Sequence, residues 1–344
     1  MGRELTFFQI ISCLLWGLIA IIAGPIDCRS APPHPPTFAD FREAFRRDSK
    51  DTNGMDAQVE VFSAAQLSND ELQTILSRGK AEELIGAGIQ APIKDFQGTA
   101  LLVRSTEVSS TNPVAWAALA YRNYSLLANK SGDFRSTAAQ LAKAIEKLQS
   151  IDASNSMPLY LEAAFQCLQT NYGAARQSLL KSAEAIEFEN YVTAMKKCVI
   201  VANESVGYPK YTARTVAIGN DHAFVVVAAL NKAILRKFPD DEAVAHACLV
   251  LGQRESNGRS FLQELVGNSI QLNAIEKLPG RDFTTTKEAI AARKARIKLA
   301  VEYLNRLKTG NVSEARWVKY FDESIEKGEM TAVGSLASDN GDSF

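Results

Sequence analysis

Residues 112–188 read NPVAWAALAYRNYSLLANKSGDFRSTAAQLAKAIEKLQSIDASNSMPLYLEAAFQCLQTNYGAARQSLLKSAEAIEF. Asn112-Pro113 opens a helix. An Asn side chain accepts the free N–H groups at a helix start, and Pro at the first position gives up an N–H that has no partner there. Trp116, Leu119, Ala120, Asn123 and Leu127 then recur at three- and four-residue spacing, on one helical face. Ser131-Gly132-Asp133 breaks the pattern. Phe134, Ala138, Leu141, Ala142, Ile145 and Leu148 make a second stripe. After the polar break at 152–156, Pro158 starts a third helix with Leu161, Ala164, Phe165 and Leu168. Asn171-Tyr172-Gly173 is the next turn, and Ala175, Leu179, Ala183 and Ile186 carry the fourth stripe. Short helices with one apolar face are stable only against neighbours. The expected fold is all-α, built of stacked antiparallel helix pairs, as an α-solenoid or an irregular helical bundle.

Trp116, Leu119 and Ala120 form a large–Leu–small pattern, and residues 142–148 followed by Ile151-Asp152 close the unit. Tyr160, Ala163 and Ala164, then Leu180 and Ala183, repeat the arrangement. In this the two helix–turn–helix units resemble tetratricopeptide repeats, although the step from Trp116 to Tyr160 is longer than that family's period of about 34 residues. The resemblance implies a rigid helical surface holding a protein or peptide partner. It carries over no functional residue, because the matched residues are packing residues.

The rest of the chain extends the helical reading. Phe38, Phe41 and Phe45 mark a short amphipathic helix, either capping the stack or docking on a membrane or partner. Ser68 and Glu71 make a capping box before Leu72, Ile75 and Leu76, and Gly79 ends that helix. The apolar run at 84–89, with Gly86 and Gly88, lacks the glycine spacing and Lys-Ser/Thr of a phosphate loop and reads as a helix end. Residues 100–103 fit a short helix or a strand. Further helices follow around Met195, Phe224 and Val244, with breaks at Gly207-Tyr208-Pro209, Pro239-Asp240-Asp241 and Asn257-Gly258. The longest clean helix runs from Thr286 to Leu307. The segments are 1–30 leader, 31–37 Pro-rich linker, 38–111 N-terminal helices, 112–205 helix pairs, 206–328 C-terminal helices and 329–344 a disordered polar tail.

The leader carries no charge from Leu5 to Ile26. This run exceeds the apolar part of an ordinary secretory signal and approaches the ~20 residues that span a bilayer. It reads as a signal cut before Ala31 or as a retained membrane anchor. The protein is therefore expected outside the cytoplasm, secreted or periplasmic, or tethered to a membrane through Leu5–Ile26.

Net charge is −1, which argues against nucleic acid as the main partner. The five cysteines have no paired spacing, so they do not read as a disulfide framework. Cys167, Cys198 and Cys248 read as small core residues. Three histidines are few for a metalloenzyme, and the sequence has no His-Glu-x-x-His, paired Cys-x-x-Cys, EF-hand loop or Gly-x-Ser-x-Gly elbow. Asp221-His222 is the one acidic–His neighbour pair. The Asn-x-Ser sequons at Asn123, Asn129, Asn203 and Asn311 are near chance in number, and Asn123 falls on a packing face. Arg293, Lys294, Arg296 and Lys298 form a basic cluster, either a solvated helix face or a contact for an anionic surface. The expected function is a protein- or peptide-binding scaffold, without catalysis, cofactor or metal. The alternatives are a membrane-tethered envelope protein touching anionic surfaces and an enzyme with a carboxylate-based site.

Overall fold

In the computed structural model, residues 35–48, 56–92, 96–219, 223–308 and 310–342 are described. The leader with Leu5–Ile26, Cys13 and Cys28, together with His34, Asp221 and His222, lies outside them. Among the described residues the chain is helical throughout and has no strand, only an isolated bridge between Asn155 and Glu187.

The N-terminal helices are α1 (Phe38–Asp48), α2 (Asp56–Ala64), α3 (Asn69–Arg78), α4 (Ala81–Gln90) and α5 (Phe96–Val108). Then come α6 (Pro113–Ala128), α7 (Phe134–Ile151), α8 (Met157–Leu168) and α9 (Tyr172–Glu184). They are followed by α10 (Val192–Ser205), α11 (Lys210–Gly219), α12 (Ala223–Lys237), α13 (Glu242–Ser256) and α14 (Phe261–Ile275). The chain closes with α15 (Thr284–Lys308), α16 (Glu314–Lys327) and α17 (Glu329–Asn340).

The helix starts follow side-chain chemistry. Asn112 Oδ1 accepts the Val114 N–H, and Asp133 accepts those of Arg135 and Ser136. Ser68 and Glu71 complete both bonds of their capping box, and Gly79 ends α3 at φ +67°. The four central stripes become α6–α9, packed as the pairs α6/α7 and α8/α9 with α8 against α7. Ile186 is the exception: it lies beyond the end of α9 and is 96% exposed.

The pairs do not simply continue along the chain. α12 and α13 stack on α8 and α9, whereas α10 turns back to lie along α4. This crossing explains Gly86 and Gly88, which are interior residues of α4 rather than its end. A Cβ on Gly86 would sit 2.0 Å from the Cys198 carbonyl oxygen of α10, and one on Gly88 would sit 2.6 Å from Leu102 of α5. The same device recurs between α13 and α14, where a Cβ on Gly267 would lie 2.2 Å from the Ser256 nitrogen. Residues 100–103 belong to α5 and are helical.

The cores also link distant segments. The largest joins α4–α10 to α12–α14. A second joins Phe41, Ala57 and Val61 to Tyr211, Trp317, Phe321 and Val333, so the first and last of the described helices share one interior. Phe41 meets two rings of this core edge-on, Phe62 at 5.2 Å and Tyr211 at 5.5 Å. The amphipathic helix of Phe38, Phe41 and Phe45 thus packs into the body. Where the composition suggested a disordered tail, α17 buries Ala332, Val333, Leu336 and Ala337 in this core. Among the described residues no helix is long and apolar enough to cross a membrane.

Replacing Gly86 or Gly267 by Ala is expected to destabilise the fold by about 2–3 kcal/mol, because backbone on the facing helix must move. Gly334→Ala, whose Cβ meets nothing within 4 Å in α17, is expected to stabilise by about 0.5–1 kcal/mol. Urea unfolding midpoints of the three variants measure both effects.

Candidate functional site: a cleft at the ends of three helices

A cleft of about 280 Å³ opens where the end of α9, the start of α10 and the α13–α14 turn meet. Phe188, Glu189 and Asn190 line it from the irregular segment after α9. Thr193 comes from the first turn of α10 and Arg254 from the last turn of α13. Asn257, Gly258, Arg259 and Gln263 complete it.

Irregular backbone needs hydrogen-bond partners from elsewhere. Asn155 supplies them on one side. Its Oδ1 accepts the N–H groups of Met157 and Glu189, both at 3.0 Å. Its Nδ2 donates to the Glu189 carbonyl and the Tyr191 hydroxyl, both at 2.8 Å. Beside it the Ser156 N–H and hydroxyl both donate to the Glu187 carbonyl, at 3.0 and 2.8 Å. Tyr191 is thereby held at φ +61°, a left-handed conformation costly for a bulky side chain. Its hydroxyl donates to Asp152 at 2.6 Å and its N–H to Glu189 Oε1 at 2.7 Å.

Arg254 works from the other side. Its guanidinium donates to the Tyr160 hydroxyl at 2.9 Å, to the Ser182 carbonyl at 2.7 Å and to the Ala185 carbonyl. It therefore closes the C-terminus of α9, where the unpaired carbonyls carry partial negative charge. Arg122 does the same for α4, donating to the carbonyls of Gly88, Ala91 and Pro92. A Cβ on Gly98 would lie 2.5 Å from that guanidinium carbon, which explains the glycine. Arg259 is exposed and more loosely held, 3.3 Å from the Ile325 carbonyl and 3.5 Å from the Thr193 hydroxyl.

The sequence-predicted basic cluster is divided by the fold. Arg293 reaches α14, donating to Asn268 at 3.2 Å. Arg293 and Arg296 both act on the half-buried Glu264. Lys298 lies 3.8 Å from Glu302 of its own helix, and Lys294 is half-buried one turn before it. The four cations are therefore shared between an internal contact and a solvated face. Burial pushes the Glu264 carboxyl up to about 7, against the opposing pull of Arg293 and Arg296 and with a push from Glu329.

Cys167, Cys198 and Cys248 are free thiols, and Cys198 and Cys248 are buried. Burial pushes Cys167 up to about 11 and the other two to about 12, so all three are protonated at neutral pH. Asn123 is fully buried, its side-chain atoms without hydrogen-bond partners, and its sequon is closed to modification. His246 faces Arg281, not Cys248. Among the described residues no group of His, Cys, Asp or Glu is placed to hold a metal ion.

Sequence reasoning reached the Asn257-Gly258 turn but none of the side chains that build the cleft. Asn155 sits in a stretch read only as a break, and Arg254 on a helix read only for its apolar face. The described chain is an all-α protein of packed helix pairs. Comparison with protein-family models, curated proteins and solved structures finds no significant match.

Two outcomes follow from this geometry. Asn155→Ala leaves several backbone groups unpaired and is expected to cost on the order of 3 kcal/mol, and Arg254→Met about 2 kcal/mol. Both are measured by urea unfolding, with near-ultraviolet circular dichroism reporting Tyr191. Glu264 binds its proton more tightly folded than unfolded. Stability is therefore lost as pH rises from about 4.5 to about 7 and stays reduced above that. Glu264→Gln is expected to match the wild type in melting temperature at pH 4 and to exceed it at pH 8, by on the order of 1 kcal/mol after allowance for solvent screening.

Proposed function

We propose that this chain is an exported or membrane-tethered helical scaffold that binds a protein or peptide partner without catalysing a reaction. The cleft at the end of α9 carries this reading. Its walls offer amide, guanidinium and backbone groups that suit an extended peptide. Packed helix pairs hold these walls rigidly, which lowers the ordering cost of binding. The tetratricopeptide resemblance over α6–α9 supports the same class of function, with the cleft at the edge of those pairs rather than along their inner face. The uncharged run from Leu5 to Ile26 supports the export half of the proposal.

The test starts from the protein recovered after expression with its own leader. Its intact mass and fraction are measured, and that form is then the target for a displayed peptide library. Asn257→Trp, which fills the cleft from an exposed turn, is the counter-target. The proposal expects protein outside the cytosol, beginning near Ala31 or retained whole in a membrane. It also expects enriched peptides that lose at least tenfold in affinity on the Trp variant. Full-length protein confined to the cytosol overturns export. A selection that yields nothing, or peptides indifferent to the Trp variant, overturns binding at the cleft.

A further inference from the structure

The cleft has a charge asymmetry that narrows its ligand. Two guanidiniums, Arg254 and Arg259, line it together with one carboxylate, Glu189. Among the described residues the hydrogen-bond partners of both guanidiniums are neutral: carbonyl and hydroxyl oxygens. Neither has a carboxylate at ion-pair distance among the described residues. Arg259 does feel Glu326, but that side chain is engaged by Lys197 at 2.7 Å. Glu189 is committed in turn, its Oε1 taking the Tyr191 N–H at 2.7 Å.

The start of α10 opens at the same place. Tyr191 gives this helix no side-chain cap, and the N–H groups of Thr193 and Ala194 have no acceptor among the described residues. Asn190 is 9% exposed and lines the cleft. Its Oδ1 takes the Val192 N–H at 3.2 Å, while its Nδ2 has no acceptor among the described residues. An exposed guanidinium, an amide donor without an acceptor and the first free N–H groups of a helix thus lie at one cleft. Together they match the acceptor-only chemistry of a carboxylate.

We propose that the cleft recognises an acidic peptide segment, with one Asp or Glu carboxylate seated between the Arg259 guanidinium and the N-terminus of α10. This rests on the peptide-binding reading above and names the chemistry it selects. Arg254, already engaged with the end of α9, contributes field rather than a direct bond. Asn190 Nδ2 supplies a further side-chain donor from the cleft wall. Binding weakens with salt, since Arg259 is exposed.

Isothermal titration of the full chain with the blocked peptide Ac-Ala-Glu-Glu-Ala-NH2 tests this, against its Gln isostere and against inorganic phosphate. The Glu peptide is expected to bind at least tenfold more tightly than the Gln peptide. Arg259→Gln should remove most of that difference. Thr193→Glu places a carboxylate in the first turn of α10, where it suits the helix. That variant should stay folded and lose the Glu peptide. Equal binding of the Glu and Gln peptides overturns carboxylate selection and leaves peptide binding standing. Binding of phosphate alone, or of no probe, overturns the proposal whatever the display selection returns. Undiminished binding of the Glu peptide to Thr193→Glu places its site elsewhere and overturns it as well.

Discussion

Seven residues of irregular chain between α9 and α10 must be satisfied away from regular structure, and Asn155 is central to satisfying them, beside Ser156 and Arg254. Its amide side chain ties the turn before α8 to the segment after α9 through three groups, the Glu189 N–H, the Glu189 carbonyl and the Tyr191 hydroxyl. These two connections bracket the α8/α9 hairpin, so fixing one to the other fixes the hairpin's open end. The positive φ of Tyr191 then sets the direction in which α10 leaves. That direction carries α10 back to α4 instead of onto the next pair. The course of the second half of the chain depends on it.

The interior places its cations unusually. Arg122 is buried, and Arg254 is half-buried, yet each is bound chiefly by carbonyls at a helix C-terminus. Several peptide dipoles pointing the same way do the work that a carboxylate does in a buried ion pair. For Arg254, whose partners are carbonyl and hydroxyl oxygens, no second charge has to be stripped of water, which is the costly part of a buried ion pair. Each clamp also ends its helix at a defined residue and leaves a shaped corner beyond it. Around Arg254 that corner is the cleft. Ion pairs between exposed side chains, such as Lys197–Glu326 and Lys319–Asp339, contribute little.

Helix positions were legible in the sequence wherever a cap coincided with an apolar stripe, as at Asn112-Pro113, Ser68 with Glu71 and Asp241. What escaped was information held between segments. Gly86 looks like punctuation because its reason, the Cys198 carbonyl, lies more than a hundred residues away. The last helix looks like a polar tail because its buried side is mostly alanine, with Val333 and Leu336. Its anchor is Glu329, whose carboxylate accepts the Phe261 N–H at 2.5 Å. The basic cluster was visible as composition, but the division of its charges depends on α14 lying against α15. Of the cleft only the Asn257-Gly258 turn was legible, because its other walls come from the connection after α9 and from polar helix positions that a periodicity reading skips.

The shared interior of the first and last helices has a bearing on how the molecule comes into being. Phe41 and Phe62 share an interior with Tyr211, Trp317 and Phe321, which follow them only far along the chain. Until then α1 and α2 present an unmatched aromatic surface. Contacts of such long sequence separation form late, since the intervening loop must close first. A chain emerging N-terminus first, from a ribosome or through a translocation channel, therefore carries its stickiest helices ahead of their shelter. The central pairs can close as they appear, but the seam between α1–α2 and α16–α17 must wait until α17 has been made.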